Sequence, residues 1–461
     1  MNLVEVLLYV TLASSLIIPL ISTLGYHKSK AILLISLVGV ITFILASLIM
    51  IFEGMVEFYS GLVRHDRFSA LILLGAGFSA LIVLIAIGYD AYRWSSHPAF
   101  YSLTPLILFG TFYLAGASNV LVVIAAWLLV SVATYVLVAL PGDSESRVAA
   151  VKYVYVGIVA TLLIALWASV HVALRKGDMM EVGMLSGVLN QPLVALALAS
   201  LLAAFGFKIG MVPFHWWLPS VYGRADGKAI AVVAGVAKLG FIVLVVRLIT
   251  EGFAKLDYTI TTLAMIAFIT MTYGNVAALT TLDLQRLLAY SSIAHVGYIT
   301  VALYVLAVAP PESTLFKMAL AGIALQSIAY TLAKTPLFLL TSEAGRSLEV
   351  ELRGLLARDR LSSISTAILL ASLLGIPPLI GFWGKLYMFL PVASYSIPLL
   401  VAALVNSGVS SAYYIRALRD ITTPSETRSR EVRFRYRMAL LIGATLSIVL
   451  GLAAPLVLML I

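Results

Sequence analysis

Cysteine is absent from the 461 residues of this chain, and histidine is scarce, with six residues. Without thiols the chain forms no disulfide, holds no iron–sulfur cluster through cysteine and builds no cysteine zinc site. The six histidines are scattered along the chain, which does not favour an all-histidine metal centre. We therefore predict that the chain holds no cofactor or metal, and that any linked electron transfer takes place in other proteins.

Charged residues are also few. They make up 11% of the chain, whereas hydrophobic residues make up 62%; soluble domains have about 25% charged and roughly 45–50% apolar residues. This composition predicts a polytopic membrane protein. The formal net charge of +9 comes from basic residues in short links between apolar runs, where they act as topology signals and do not indicate nucleic-acid binding.

Carboxylates are missing from the centre of every predicted membrane span. A sodium site would be expected to use carboxylate and carbonyl oxygens. If the protein moves an ion, the residues that are present favour the proton.

Apolar runs of the length that spans a bilayer predict about fourteen helices. They begin near Val4, Ala31, Phe68, Phe100, Asn119, Ala149, Leu193, Lys228, Thr259, Leu287, Thr314, Ser363, Ile397 and Met438. The first run, to about Leu24, has no basic segment before it and no clear cleavage site, so we expect it to be a retained span. The links are short, which predicts a single integral membrane domain over 1–461.

Lysine and arginine are concentrated in alternate links. The odd-numbered links hold Lys28, Lys30, Arg93, Arg147, Arg224, Lys228, Arg286, Arg346, Arg353, Arg358, Arg360, Arg419, Arg428, Arg430, Arg433, Arg435 and Arg437. The even-numbered links hold only Arg64, Arg67, Arg175, Lys176 and Lys255, with Arg247 and Lys317 at their edges. Since basic residues mark cytoplasmic links, we predict that both termini lie outside. The arginine-rich link after Pro424 is interpreted as a solvated anchor, with an anionic-lipid patch or a docking surface as the alternatives.

One stretch interrupts its apolar run with a charge, FGFKIGMVPFHWWLP at 205–219. Lys208 lies in the middle of this run between Gly206 and Gly210, and Pro213 follows. A lysine in hydrocarbon costs about 2.5–3.5 kcal/mol on insertion scales, and broken helices are tolerated at that depth where they line a buried polar cavity. The stretch predicts a broken seventh span with an ion-handling site.

A second interrupted run, LLGIPPLIGFWGKLYMF, places Pro377 and Pro378 before Lys385. Lys152 and Lys334 recur at nearly the offset that separates Lys208 from Lys385. This spacing predicts a five-helix unit that occurs twice, the second copy inverted in the membrane, with the seventh and twelfth spans broken.

Six ionisable side chains lie within apolar runs. These are Lys152, Lys208, Lys238, Lys334, Lys385 and His295. An amine shut away from water and anions holds its proton less tightly than in solution, so a row of such groups, bridged by water and hydroxyls, could pass protons. The alternatives are that the lysines snorkel to a headgroup or tie helix carbonyls, and that His295 is an ordinary satisfied buried histidine.

Two sequence blocks, VPFHWWLPSVY and NVAALTTLDLQRLLAYSSIAHVGYI, resemble the antiporter-like membrane subunits of the respiratory complex I superfamily. Similar subunits serve multisubunit cation/proton antiporters and membrane-bound hydrogenases. Subunit N is the most similar member, on the pattern of HDRFS, HPAFYSLTPLILFG, AVKY, GFWGKLY and LVNSGVSSAYYIRAL. The resemblance runs from about Asp66 to Arg419.

The resemblance implies fourteen helices, with the two inverted repeats formed by helices 4–8 and 9–13. The regions would be 1–97 for helices 1–3, 98–250 and 259–420 for the repeats, and 437–461 for helix 14. It further implies proton translocation in a NADH:quinone oxidoreductase-like complex of a bacterial or archaeal cell membrane, driven by redox chemistry in partner subunits. These would be sister antiporter-like subunits, a small K-like subunit and the quinone-site subunits.

By the same resemblance, Lys208 and Lys238 would be the central lysines of the proton path. His295 would bridge them to Lys385, which would lead toward the far exit. Lys152 would be the lysine of the sixth helix.

The chain departs from the family pattern in five places. In the fifth span, Leu128 stands where the family has a glutamate, so the carboxylate that would pair with Lys152 by this resemblance is absent. Ser220, Thr281 and Gln285 replace the usual aspartate, glutamine and lysine, and Tyr330 stands where sister subunits have histidine. These departures keep two alternatives open: a subunit of an antiporter or hydrogenase, and a structural subunit that does not pump.

Overall fold

A computed structural model describes residues 2–25, 30–88, 94, 97–174, 191–348, 351–423 and 431–461. Within these ranges, thirteen helices are long and apolar enough to cross a membrane. The predicted class, an all-α polytopic membrane protein, is confirmed. The count of fourteen, the inverted repeats and the regional boundaries remain predictions. Six of the predicted link residues lie outside the described residues, namely Lys28, Arg93, Arg175, Lys176, Arg428 and Arg430.

The first part of the chain forms six helices. They are α1 (Leu3–Thr23), α2 (Lys30–Glu53), α3 (Arg67–Ile87), α4 (His97–Gly116), α5 (Val120–Ala139) and α6 (Ser144–Leu174). The side chains of Asn2, Asp66 and Asn119 each accept a hydrogen bond from a backbone N–H in the first turn of the following helix. Such caps satisfy donors that have no partner within a helix, so these residues fix where α1, α3 and α5 begin.

The second part contains shorter helical pieces as well as full spans. They are α7 (Gln191–Phe205), α8 (Trp217–Tyr222), α9 (Gly227–Val232), α10 (Lys238–Leu248), α11 (Asp257–Leu279), α12 (Leu284–Val308), α13 (Thr314–Ala344), α14 (Leu355–Arg358), α15 (Arg360–Leu374), α16 (Ile380–Phe389), α17 (Ile397–Thr422) and α18 (Phe434–Leu460). A π-helical turn, Val233–Ala237, joins α9 to α10, and the span continues to Phe253.

Two spans are interrupted at the glycines and prolines that the sequence singled out. After α7 the chain widens into a π-helical turn, Gly206–Gly210, and loses helical geometry before α8, with Pro213 in the gap. Between α15 and α16, Gly375 takes a φ of 92°, and Pro377 and Pro378 follow it. Positive φ suits glycine because it has no Cβ. Helix geometry is therefore lost beside Lys208 and a turn before Lys385.

A small antiparallel hairpin joins α2 to α3. Its strands are β1 (Val56–Phe58) and β2 (Val63–His65), and residues 59–61 between them all have positive φ. The hairpin buries His65 completely against the ring of Phe112.

The two innermost spans carry Lys238 and His295, two of the predicted site residues. The span Gly227–Phe253 is 100% buried over its most apolar window and Leu284–Val308 is 94% buried, whereas Leu3–Thr23 and Phe434–Leu460 are 33% buried. The central helices therefore meet protein on all sides, and the outer ones present apolar side chains to lipid or to other subunits.

The basic links divide between the two ends of the bundle as the sequence predicts. Arg224 pairs with Glu145, and Arg346 donates to the carbonyl of Gly223, which gathers odd-numbered links at one end. We call this the arginine-rich end.

The opposite end holds the even-numbered links and the chain termini. The guanidinium of Arg247 donates to the carbonyl of Arg64, and Arg67 donates to that of Leu460. The hydroxyl of Tyr9, on the first helix, contacts that of Tyr59 in the hairpin. Both termini therefore lie at the end that carries few basic residues.

Candidate functional site

Lys208 is buried at the interruption after α7, and its amine faces α5. Nζ donates to Ser131 Oγ at 2.6 Å and to the Tyr135 hydroxyl at 2.8 Å. Both residues lie on the same helix as Leu128, three and seven positions after it. The polar side chains of α5 therefore bind Lys208, and the role predicted for Lys152 stays a prediction.

Leu128 and Lys152 lie apart from the buried amines. The Leu128 side chain is 42% exposed on the outer face of α5. Lys152 is partly exposed on α6, and its amine makes no hydrogen bond or ion pair with the described residues. This placement matches the snorkelling alternative for Lys152 better than a station in a buried row.

Lys238 begins α10 directly after the π-helical turn, and its side chain is only 4% exposed. Its Nζ has no hydrogen-bond partner among the described protein atoms. The amine lies 5.2 Å from the centre of the Tyr330 ring. The face of an aromatic ring attracts a cation, so Tyr330 is the group that stabilises a charge on Lys238.

Lys334 is fully buried within α13 and also faces Tyr330, with its amine 5.4 Å from the ring centre. Nζ donates to the Leu288 carbonyl and to Ser291 Oγ, both on α12. The contact with a helix carbonyl is the structural role that stands as the alternative to proton transfer for a buried lysine. One tyrosine ring thus serves two lysine amines.

His295 lies near the middle of α12, only 2% exposed. Gln326 Nε2 donates to its Nδ1 at 2.9 Å, and its Nε2 lies 3.3 Å from the Tyr414 hydroxyl. Its ring also meets those of Tyr298 and Tyr330 edge to face, with centroids 5.7 and 6.1 Å away. Both ring nitrogens have partners, and the ring stands between two tyrosines that contact lysines.

Lys385 is buried on α16 behind the second interruption. Nζ donates to the Leu374 carbonyl at 2.7 Å and to Ser407 Oγ at 3.1 Å, and lies 5.2 Å from the centre of the Tyr298 ring. The carbonyl it binds is freed because α15 ends at that residue. The interruption thus supplies the acceptor for the amine.

These groups form one series that we call the lysine row. Its members, in spatial order, are Lys208, Lys238, Tyr330, His295, Tyr298 and Lys385. The Phe241 ring lies 5.4 Å from the Lys208 amine, and Phe241 is one turn along α10 from Lys238. No carboxylate of the described residues lies within ion-pair distance of the row. Lys334 contacts the row through Tyr330 and does not extend it.

The sequence reading missed the aromatic and amide groups that connect the lysines. Tyr298 accepts a hydrogen bond from Asn275 Nδ2 at 2.9 Å, and Tyr413 donates to Asn275 Oδ1 at 3.0 Å. The only signal for Tyr298 was its place one turn after His295. Nothing in the spacing of the sequence could show that Gln326 and Tyr414 converge on the same imidazole.

The departures near the arginine-rich end have structural roles. Gln285 Nε2 donates to the carbonyls of Tyr222 and Ala225, and its Oε1 accepts from Thr341. Ser220 bonds within its own helix, and Thr281 accepts from the backbone of Asp283. None of these side chains contacts the lysine row.

Metal ligands do not cluster in the part of the chain that the structure describes. It contains no group of three or more His, Asp or Glu side chains placed to hold an ion. The chemistry available at the row is that of amines, hydroxyls and one imidazole, which exchange protons.

A bundle of apolar helices with interrupted spans and buried lysines defines an antiporter-like integral membrane subunit. The chain belongs to the family described as NADH:quinone oxidoreductase/Mrp antiporter, TM, whose profile matches residues 117–410. The family resemblance inferred from the sequence is thereby confirmed.

The relatives agree with the subunit-N pattern. The chain is 31% identical to NADH-quinone oxidoreductase subunit N 2 of Syntrophobacter fumaroxidans over 78% of this chain and 76% of that protein. It is 30% identical to F(420)H(2) dehydrogenase subunit N of Methanosarcina mazei over 81% of this chain and 79% of that protein.

Solved structures give the same result. A chain of respiratory complex I from Thermus thermophilus superposes with a TM-score of 0.81 and 29% identity, covering 97% of this chain and 98% of that one. A chain of the Mrp complex from Dietzia sp. superposes with a TM-score of 0.87 at 17% identity, covering 100% of this chain and 96% of that one, which shows the shared fold.

Proposed function

We propose that this chain carries protons along the lysine row as a membrane-arm subunit of a complex I-like oxidoreductase. The observation that carries the proposal is the series of buried amines, tyrosines and histidine from Lys208 to Lys385. Each lysine of the series lies 5.0–5.4 Å from an aromatic ring. A buried charge without an anion is costly. The charge of each amine therefore depends on the charges of its neighbours.

The chemistry of the row favours protons over metal cations. Hard cations are bound by several oxygen ligands, usually with carboxylates among them, and the amines of the row offer none. A charge that arrives at Lys208 makes a charge on Lys238 less favourable, because like charges in a medium of low dielectric constant repel strongly. A proton moving along the row would therefore displace the next one.

A polar cavity at the arginine-rich end supplies a candidate entrance. Its volume is about 410 Å³, and its lining includes Asp143, Asp226, Arg346 and Glu351. Burial raises the pKa of Asp143, but hydrogen bonds, chiefly from Ser146, outweigh this and leave the pKa below its usual value. Thr341 also lines the cavity and belongs to α13, the helix that carries Lys334 and Tyr330.

The driving force would come from partner subunits. This chain would contribute translocation to an oxidoreductase whose redox centres lie elsewhere. Its curated relatives are subunits of a NADH-quinone oxidoreductase and of an F(420)H(2) dehydrogenase. Sister antiporter-like subunits, a small K-like subunit and quinone-site subunits are the partners that we propose.

The test is the proton-to-electron stoichiometry of the assembled complex in sealed vesicles. Lys208→Ala and Lys238→Ala should each lower the number of protons moved per electron. Lys317→Ala is the matched control, because Lys317 is on α13 but pairs with Glu312 at the bundle surface. Unchanged stoichiometry in both row variants would leave only a structural role for the subunit.

A cation/proton antiporter subunit is the second candidate, since the family description includes the Mrp antiporter. Co-purification separates the two. Recovery with iron–sulfur and quinone-site subunits supports the oxidoreductase, and recovery in a complex without redox subunits supports the antiporter.

A further inference from the structure

Lys208 is surrounded by aromatic rings to a degree that no other lysine of the row matches. Its amine lies 5.4 Å from the ring centre of Trp127, 5.0 Å from that of Tyr135 and 5.4 Å from that of Phe241. The first two rings come from α5 and the third from α10. We call these three rings the aromatic cage.

The cage is held rigidly by its own packing. The Trp127 ring meets the Phe241 ring edge to face at 4.9 Å, and its Nε1 donates to Thr161 at 3.2 Å. Tyr135 packs edge to face against Tyr153 at 4.8 Å. Rings fixed in this way do not have to reorganise when a charge appears between them.

The electrostatic partners of Lys208 are neutral groups. Ser131 and Tyr135 accept its two hydrogen bonds. On the same helix, Leu128 is 42% exposed and brings no charge. Ring faces attract cations through their quadrupole, and the attraction is stronger where water is excluded.

We propose that the ring faces of Trp127 and Phe241, together with the hydroxyl of Tyr135, stabilise the protonated form of Lys208 in place of a carboxylate. The cage residues are positioning residues, because they act on the charge of Lys208 without exchanging its proton through their rings. This inference rests on the proposed function, in which Lys208 is a station of the row.

The cage has a consequence for release of the proton. When a buried ion pair loses one charge, the other is left unpaired, at a large cost. Ring faces carry no net charge, so Lys208 can lose its proton and leave no anion behind.

The test compares aromatic with aliphatic replacements in the assembled complex. Phe241→Leu and Trp127→Leu should each lower the ratio of protonated to neutral Lys208 by about 2- to 30-fold, the range that a single cation–π contact spans, and should reduce the number of protons moved per electron. Phe241→Tyr and Trp127→Phe keep a ring face and should lose less than their leucine counterparts. This order would not follow from a loss of packing alone, since leucine is also apolar.

Two controls separate the cage from other effects of these replacements. Trp167→Leu removes a buried tryptophan that packs against His171 away from the row, and it should leave the stoichiometry unchanged. Thr161→Val removes the hydrogen bond from Trp127 but keeps the ring, and it should have less effect than Trp127→Leu. If Trp127→Leu prevents assembly, the Phe241 pair decides the question.

A carboxylate added beside the amine provides the sharpest readout. Ser131 Oγ is 2.6 Å from Lys208 Nζ, so Ser131→Asp places an anion where the cage acts. Combined with Phe241→Leu, it should restore charge on Lys208 and recover transport above the level of Phe241→Leu alone, but below the native level, because an ion pair hinders release of the proton. Equal losses for aromatic and aliphatic replacements, without recovery by the carboxylate, would overturn the cage. If Lys208→Ala itself left transport intact, the proposed function would fail first.

Discussion

Lys238 is the least supported amine of the row. Its Nζ has no hydrogen-bond partner among the described protein atoms, and the ring of Tyr330 lies 5.2 Å away. Burying a charge without partners costs several kcal/mol, and one ring face offsets about 0.5–2 kcal/mol of it. The Lys238 amine therefore loses its proton readily, as a proton relay requires.

Tyr330 should therefore matter through its ring more than through its hydroxyl. We expect Tyr330→Leu to lower proton transport several-fold, because both Lys238 and Lys334 lose a ring face. Tyr330→Phe keeps the ring and loses only the hydrogen bond to Ser292, worth about 1 kcal/mol, so its effect should be smaller. Vesicle proton uptake per electron measures both, and equal losses would show that the hydroxyl carries the role.

Sequence reasoning succeeded for residues whose chemistry is unusual in its surroundings. A lysine in hydrocarbon is conspicuous, so Lys208, Lys238 and Lys385 could be selected from the sequence alone. Lys152 has the same signature, yet it lies partly exposed, because the sequence does not show which face of a helix meets protein. Tyrosines are common at the surfaces of membrane helices, so Tyr298 and Tyr330 could be identified only when distances were known.

Two glycines, Gly210 and Gly408, lie in very different backbone surroundings. Gly210 ends the π-helical turn with a φ of 88°, and a Cβ there would lie 2.6 Å from the Leu218 side chain. Gly408 lies inside α17, where a Cβ would meet nothing within 4 Å. The same substitution should therefore have opposite effects at the two positions.

We expect Gly210→Ala to lower the free energy of unfolding by about 1–2 kcal/mol, the cost of left-handed backbone for a residue with a Cβ. Gly408→Ala should raise it by about 0.5–1 kcal/mol, since glycine is unfavourable within a helix. Thermal unfolding of the complex in detergent measures both. Shifts of the same sign would contradict the backbone that we describe at Gly210.

The buried histidine of the hairpin should make the stability of the chain depend on pH. Burial, together with the positive charge of Arg247, holds the pKa of His65 well below its ordinary value. As the pH falls below about 6.5, His65 gains a proton in the unfolded chain but not in the folded one. The free energy of unfolding should then fall by up to about 1.4 kcal/mol per pH unit.

His65→Phe removes this titration and keeps an aromatic ring beside Phe112. Between pH 7 and pH 5, the melting temperature should fall further for the native chain than for the His65→Phe variant. An equal fall in both would mean that His65 does not contribute to acid sensitivity.

At the level of elements, helix positions were predictable because about 20 apolar residues are needed to span a bilayer. The predicted starts at Thr314 and Ile397 coincide with those of α13 and α17. The hairpin was not predicted, since its strands have only three residues each. The π-helical turn before Lys238 has no proline to mark it, so only the structure reveals it.

At the level of the whole molecule, the arrangement of charges predicts orientation. Both termini lie at the end with few basic residues, and the positive-inside rule places the arginine-rich end in the cytoplasm. The chain contains no native cysteine, so a single introduced thiol reports its own location without background.

We expect an impermeant maleimide to label Thr314→Cys in intact cells, because Thr314 is exposed at the end we place outside. Arg353→Cys, exposed at the arginine-rich end, should react only after the membrane is opened. The reverse pattern would invert the topology and place both termini in the cytoplasm.

The central claim is that the buried amines are connected and can exchange protons. An experimental structure of the assembly, at a resolution that shows ordered water, tests it most directly. We predict water within hydrogen-bond distance of Lys238 Nζ, continuing through His295 to Lys385 and back to Lys208. Dry apolar packing around the Lys238 amine, with no water between it and its neighbours, would contradict the proton path.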